Sequence, residues 1–149
     1  MKLRLYFPEK PFLHNKSWRS SFKTNRVYLA PEAKKFKQVI EFLTRNHLKK
    51  NGVKIPDDFG FVHADYIFHS PRIITGKGNV SKKKGDVDGG VKLLQDACCS
   101  AMGIDDSSIV TSRQVQVPSN QWGVHAVFTF YSMDAIHDHT ANLVQKILN

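Results

Sequence analysis

The chain predicts a small single-domain α/β (α+β) fold, a mixed β-sheet packed with two main helices plus a C-terminal helix. Three observations predict it. In Lys2-Leu3-Arg4-Leu5-Tyr6-Phe7 apolar residues alternate with polar ones, the period of a half-buried strand. After Pro31, Phe36, Val39, Ile40 and Leu43 recur at helical spacing. With 149 residues, 41% of them apolar, the chain has the size and content of one buried core.

The elements follow in order. Pro8 and Pro11 break pairing after the first strand. Residues 15–28 are polar, basic and aromatic (Trp18, Arg19, Phe22, Lys23, Arg26, Tyr28) and read as an irregular arm or hairpin. Proline suits the first turn of the helix at Pro31, and Asn51-Gly52 ends it. Residues 59–69 read as a strand bounded by Pro56 and Pro71. Residues 76–85 form a loop rich in glycine and lysine, expected to be mobile without ligand. A second helix is expected from Asp88, a good N-cap, to Met102, burying Val91, Leu94, Cys98 and Ala101, with Gly103 as C-cap. Strands follow over 109–117 and 123–131 around Pro118-Ser119-Asn120. The C-terminal helix is expected over 134–148, with Leu143, Val144 and Ile147 on one face, as an extension of the domain that spans 1–149.

The net charge of +9 is unevenly placed. Residues 1–54 hold 14 basic and 3 acidic side chains, whereas residues 85–149 hold 3 basic and 7 acidic ones. A basic half joined to an acidic cluster suggests attraction to a polyanion together with a site that acts on it. No apolar run approaches the roughly 18 residues of a membrane helix, and Met1-Lys2-Leu3-Arg4 lacks a signal-peptide core. Cys98 and Cys99 are adjacent, a strained arrangement for a bond between them. They read as reduced thiols of a cytoplasmic protein, packed in a helix rather than reactive.

The acidic cluster has a particular spacing. Lys82-Lys83-Lys84-Gly85 precedes Asp86-Val87-Asp88, Lys92 follows one helical turn later, and Asp105-Asp106 comes after the helix. Extended backbone sends Asp86 and Asp88 to one side, because side-chain direction repeats every two residues. Two hard oxygen ligands at that separation suit Mg²⁺, with Mn²⁺ as a substitute, and leave room for substrate phosphate oxygens. Asp105 and Asp106 are placed to complete the metal site, provided the chain turns back towards Asp86 or a partner subunit supplies them. Lys92 is placed to neutralise charge building on a scissile phosphate. Each part alone has a plainer reading: Asp88 as an N-cap, Asp105-Asp106 as a turn. The set as a whole is the chemistry of a metal-dependent nuclease.

These residues resemble the RusA Holliday junction resolvases of bacteria and their phages. That family carries a basic run, Asp-x-Asp-Asn, a lysine four residues after the second aspartate, and an acidic pair after a helix. The match runs through Lys82-Lys83-Lys84, Asp86-Val87-Asp88, Lys92, Asp96 and Asp105-Asp106-Ser107-Ser108-Ile109-Val110. It extends upstream to residues 8–15 and to Tyr28-Leu29-Ala30-Pro31-Glu32. The resemblance implies a small α/β fold, a homodimer and Mg²⁺-dependent cleavage of branched DNA at four-way junctions. By position it places the catalytic aspartates on Asp86, Asp88 and Asp106 and the catalytic lysine on Lys92. The family's asparagine after the second aspartate is Gly89 here, followed by Gly90.

On this reading Lys82, Lys83 and Lys84 grip the backbone beside the cut, and Arg19, Lys23 and Arg26 hold flanking duplex. Two other readings stand beside it: a nuclease for flaps, forks or single strands, and a non-catalytic nucleic-acid-binding module with a degenerate site. Gly76-Lys77-Gly78-Asn79 lacks the spacing of a phosphate-binding nucleotide loop, so no nucleotide cofactor is expected. The seven histidines do not form a zinc pattern: His63 and His69 read as structural, and His137-Asp138-His139 as the surface start of a helix.

Overall fold

The first strand, β1 (Lys2–Phe7), buries Leu3, Leu5 and Phe7 on one side and exposes Lys2, Arg4 and Tyr6 on the other, as its alternation requires. The computed structural model describes residues 1–12, 17–21, 23, 26–81 and 89–149. Within these, β2 (Trp18–Ser21) and β3 (Arg26–Leu29) pair antiparallel as a separate hairpin. Helix α1 (Pro31–Lys50) follows with proline at its start, burying Ala33, Phe36, Ile40 and Thr44. Then come β4 (Phe61–Ser70), α2 (Val91–Met102), β5 (Ile109–Pro118), β6 (Gly123–Tyr131) and α3 (Ile136–Leu148).

The main sheet has the order β1-β6-β4-β5. β6 runs antiparallel to β1 and β4, while β4 and β5 are parallel and joined through α2. The sheet is therefore mixed, and the fold is the α+β class that the sequence predicts. Val62, Ala64, Tyr66 and Phe68 of β4 face α1 and α2, and they join Leu5, Ile40, Leu94, Cys98 and Phe128 in one core. Both cysteines are buried and free. Burial raises both thiols, Cys99 to about 12, so neither is a ready nucleophile. No helix among the described residues is long and apolar enough to cross a membrane.

Three element starts and one loop differ from expectation. Helix α2 begins at Val91, with Gly90 rather than Asp88 in the cap position and no side-chain capping bond. Glycine is a poor helix former, and Gly90 is held instead by packing. A Cβ there would lie 2.9 Å from Pro11 Cβ and 3.3 Å from a Phe68 ring carbon. Strand β4 starts at Phe61, and Phe59 packs edge-on against Phe130 at 5.3 Å. Within the expected loop, the described part closes into a small hairpin: Ile74 bridges Val80, and Ser81 N–H donates to Ile73 O at 2.8 Å. Before α3, Met133–Ala135 forms a 3₁₀ turn, so that helix starts at Ile136. Of its expected apolar face, Leu143 is half-buried while Val144 and Ile147 stay exposed.

The entry to α3 is tightly seated. Gly60 N–H donates to Tyr131 O at 2.8 Å, and a Cβ on Gly60 would come within 2.3 Å of the Met133 backbone nitrogen. Backbone cannot yield as a flexible side chain does. Gly60→Ala is expected to cost about 3 kcal/mol, the upper end of overpacking costs, and to lower Tm by roughly 10 °C. Differential scanning calorimetry reads this directly, and an unchanged Tm would show that the turn before α3 relaxes freely.

Candidate functional site

The described part of the acidic constellation is built by α2 and the turn that follows it. Gly103, with φ of 72°, ends the helix in the left-handed conformation and sends the chain back along it. Asp105 then caps a 3₁₀ turn (Asp106–Ser108), its Oδ1 accepting from Ser107 N–H at 2.8 Å. The Ser107 hydroxyl, and after it this N–H, hold the Asp105 carboxyl below its usual range. Asp105 is thus the turn former of the pair, and Asp106 is the one aimed at the helix.

Lys92 is the point of convergence. Its Nζ donates to Asp106 Oδ2 at 2.5 Å and lies 2.9 Å from Asp96 Oδ1, one helical turn along. The Asp106 contact is the main reason the ammonium is raised above the ordinary lysine value, with Asp96 second. Reciprocally, the Lys92 bond holds the Asp106 carboxyl low. At Asp96 the ammonium is near but off the angle of a hydrogen bond, so the buried Oδ1 has a charge beside it and no aligned donor among the described residues. A carboxylate from α2, Asp96, and one from the turn after it, Asp106, are brought onto one cation, Asp106 lying fourteen residues from Lys92. Asp106 thus reaches Lys92 within one chain.

No protein-family model matches the chain, and no curated protein does either.

Among the expected site residues, Asp86, Asp88, Lys82, Lys83 and Lys84 lie outside the described residues. Among the described residues no group of three or more histidine, cysteine or carboxylate side chains gathers as a metal site. What is present fits part of one. Two carboxylates converge on one ammonium, and among the described residues one buried carboxylate oxygen lacks an aligned donor. Asp96 and Asp106 are the described residues that would hold Mg²⁺, and Asp86 and Asp88 are the remaining candidates. In the sequence Asp96 stood within the family-like motif and one helical turn after Lys92, with no role of its own assigned to it.

On the hairpin, Lys23 and Arg26 are exposed. Arg19 is not free for phosphate in this state: its Nη2 donates to both oxygens of Glu32 at 3.0 Å. Exposed Trp18 and Tyr28 flank these cations. His63 is buried and hydrogen-bonded at both ring nitrogens, to Thr111 Oγ1 at 2.7 Å and Asp65 Oδ1 at 3.0 Å. His69 lies 2.8 Å from His125 across β4 and β6.

Proposed function

We propose that the chain is a Mg²⁺-dependent, structure-specific endodeoxyribonuclease that resolves Holliday junctions, a cytoplasmic RusA-like homodimer. The observation that carries this reading is the Lys92 ammonium held between Asp96 and Asp106. Those side chains are 31 to 51% exposed, where solvent screening leaves an ion pair little net stabilisation. Stability alone is a weak reason for gathering three charged groups there. A site that meets a phosphodiester is a better one.

Bound Mg²⁺ would supply a polarised water and neutralise charge on the phosphate. The chain's own contribution is positional. Lys92 stays protonated because Asp106 and Asp96 stabilise its cation, so it meets a phosphate oxygen as a fixed positive charge. Asp106 stays ionised and keeps that ammonium on the site side of α2. Lys82, Lys83 and Lys84 would bind the backbone beside the cut, with Lys23 and Arg26 on the flanking duplex. Arg19 would join them only by exchanging Glu32 for phosphate. Phosphate contacts position without reading bases, so cleavage preference must arise elsewhere.

Binding should weaken steeply with salt, with a slope near −0.9 per duplex phosphate neutralised. Replacing Lys82, Lys83 and Lys84 together by alanine should flatten the slope by about three such contacts at most. Fluorescence anisotropy across a salt series checks this, and an unchanged slope would mean the run is a solvated segment. The substrate class is tested by a panel of labelled four-way junctions, flaps, forks and single strands with Mg²⁺. Preferred cleavage of the junction supports the proposal. Preference for flaps, forks or single strands would replace it with another nuclease activity, and binding without cleavage would leave a nucleic-acid-binding module.

A further inference from the structure

The sheet has a second face, away from α1 and α2. Along β4 the residues alternating with the core set are His63, Asp65, Ile67 and His69. Strand register lines up Lys2, Thr129, His63 and Thr111 in one row across all four strands, with Arg4, Val127, Asp65 and Arg113 in the next. Helix α3 covers one end of this face. His139 packs there against Phe61, His63 and Tyr131 at ring separations of 4.7–5.5 Å, and its Nε2 lies 3.1 Å from Thr111 Oγ1. Between helix and sheet lies a cavity of about 460 Å³ lined in part by Lys2, Arg113, Lys146, His139 and Asn142.

We propose that this cavity binds a phosphate oxyanion, on the sheet face opposite Lys92 and Asp106. Among the described residues its lining carries three cations, Lys2, Arg113 and Lys146, against one carboxylate, Asp65. That carboxylate is already engaged: Arg113 Nε donates to Asp65 Oδ1 at 2.7 Å and His63 Nε2 lies 3.0 Å from the same atom. A guanidinium has five N–H donors and this contact uses one, so Arg113 is oriented by Asp65 with donors to spare. Asn142 adds an amide to the lining. Lysine and arginine around a polar recess, with the Asp65 carboxylate already paired to Arg113, form the donor set that suits phosphate. Burial holds the His139 ring below the ordinary histidine range, and the charges of His63, Arg113 and Lys146 push the same way against that of Asp65. The inference does not depend on the nuclease reading, since none of these residues belongs to the Lys92 cluster.

The histidine rings give the test a direct readout. Full-length protein with labelled histidines is titrated by NMR with inorganic phosphate, and separately with a short duplex bearing 5′-hydroxyl ends, at matched ionic strength in chloride. The expected result is a saturable shift of the His139 and His63 ring signals, with the His139 titration midpoint moving up when the anion binds. The double variant Lys2→Gln/Lys146→Gln should weaken that binding about tenfold or more, whereas Asp106→Asn should leave it unchanged. Saturation by both probes identifies backbone phosphodiester as the source, and saturation by inorganic phosphate alone identifies a small phosphoryl ligand. Ring signals unmoved by either probe, or moved equally in the double variant, overturn the proposal.

Discussion

Asp106→Asn should lower junction cleavage by at least about a hundredfold while junction affinity stays within a few-fold of the parent. The substitution keeps the shape of the side chain and removes the charge that Lys92 contacts at 2.5 Å. Affinity comes from the basic surface, so loss of one negative charge near phosphate should leave binding intact or tighten it slightly. Because Asp105, not Asp106, caps the turn before β5, the variant should keep the parent's fold. Asp88→Asn should behave in the same way. Gel-shift and nicking assays on the same preparation separate the two effects. Comparable nicking by variant and parent would remove Asp106 from the reaction.

Lys92→Gln has the second large effect, a loss of about 10²–10³ in rate, the scale seen when one charge-stabilising donor is removed. Since Asp106 and Asp96 raise the lysine, its cation persists across the range in which such an assay is run. The loss should therefore be uniform from about pH 6 to pH 9, well below the ordinary lysine pKa of roughly 10.4. A residue with only a structural role would instead lower Tm and leave the rate of the folded fraction unchanged. Measuring kcat against pH beside thermal unfolding distinguishes these outcomes. A wild-type rate in a stably folded Lys92→Gln protein would exclude the lysine from the chemistry.

Local signals carried much of the fold. The alternation of Lys2–Phe7, the proline at the head of α1 and the left-handed Gly103 each act within a few residues, and each appears where the chain places it. The start of α2 was not legible, because Gly90 is held by Pro11 and Phe68, residues far away in sequence. Lys92 and Asp106 were legible as members of one motif, but their direct ion pair was not, because it depends on how the chain turns back after Gly103. The division of labour between Asp105 and Asp106 was not: it depends on which carboxylate meets the Ser107 N–H. The network of His63, Asp65, Thr111, Arg113 and His139 was hidden for a different reason. Its members come from β4, β5 and α3 and meet only through strand register and the docking of a helix whose apolar face is partly exposed.

The central claim is tested most directly by incubating the wild-type protein with a synthetic four-way junction labelled on each strand, with and without Mg²⁺. A two-fold homodimer with one site per subunit should place symmetric nicks on two opposing strands and release paired duplexes, only when the metal is present. Tight junction binding with no nick on any strand, at any Mg²⁺ or Mn²⁺ concentration, would contradict it.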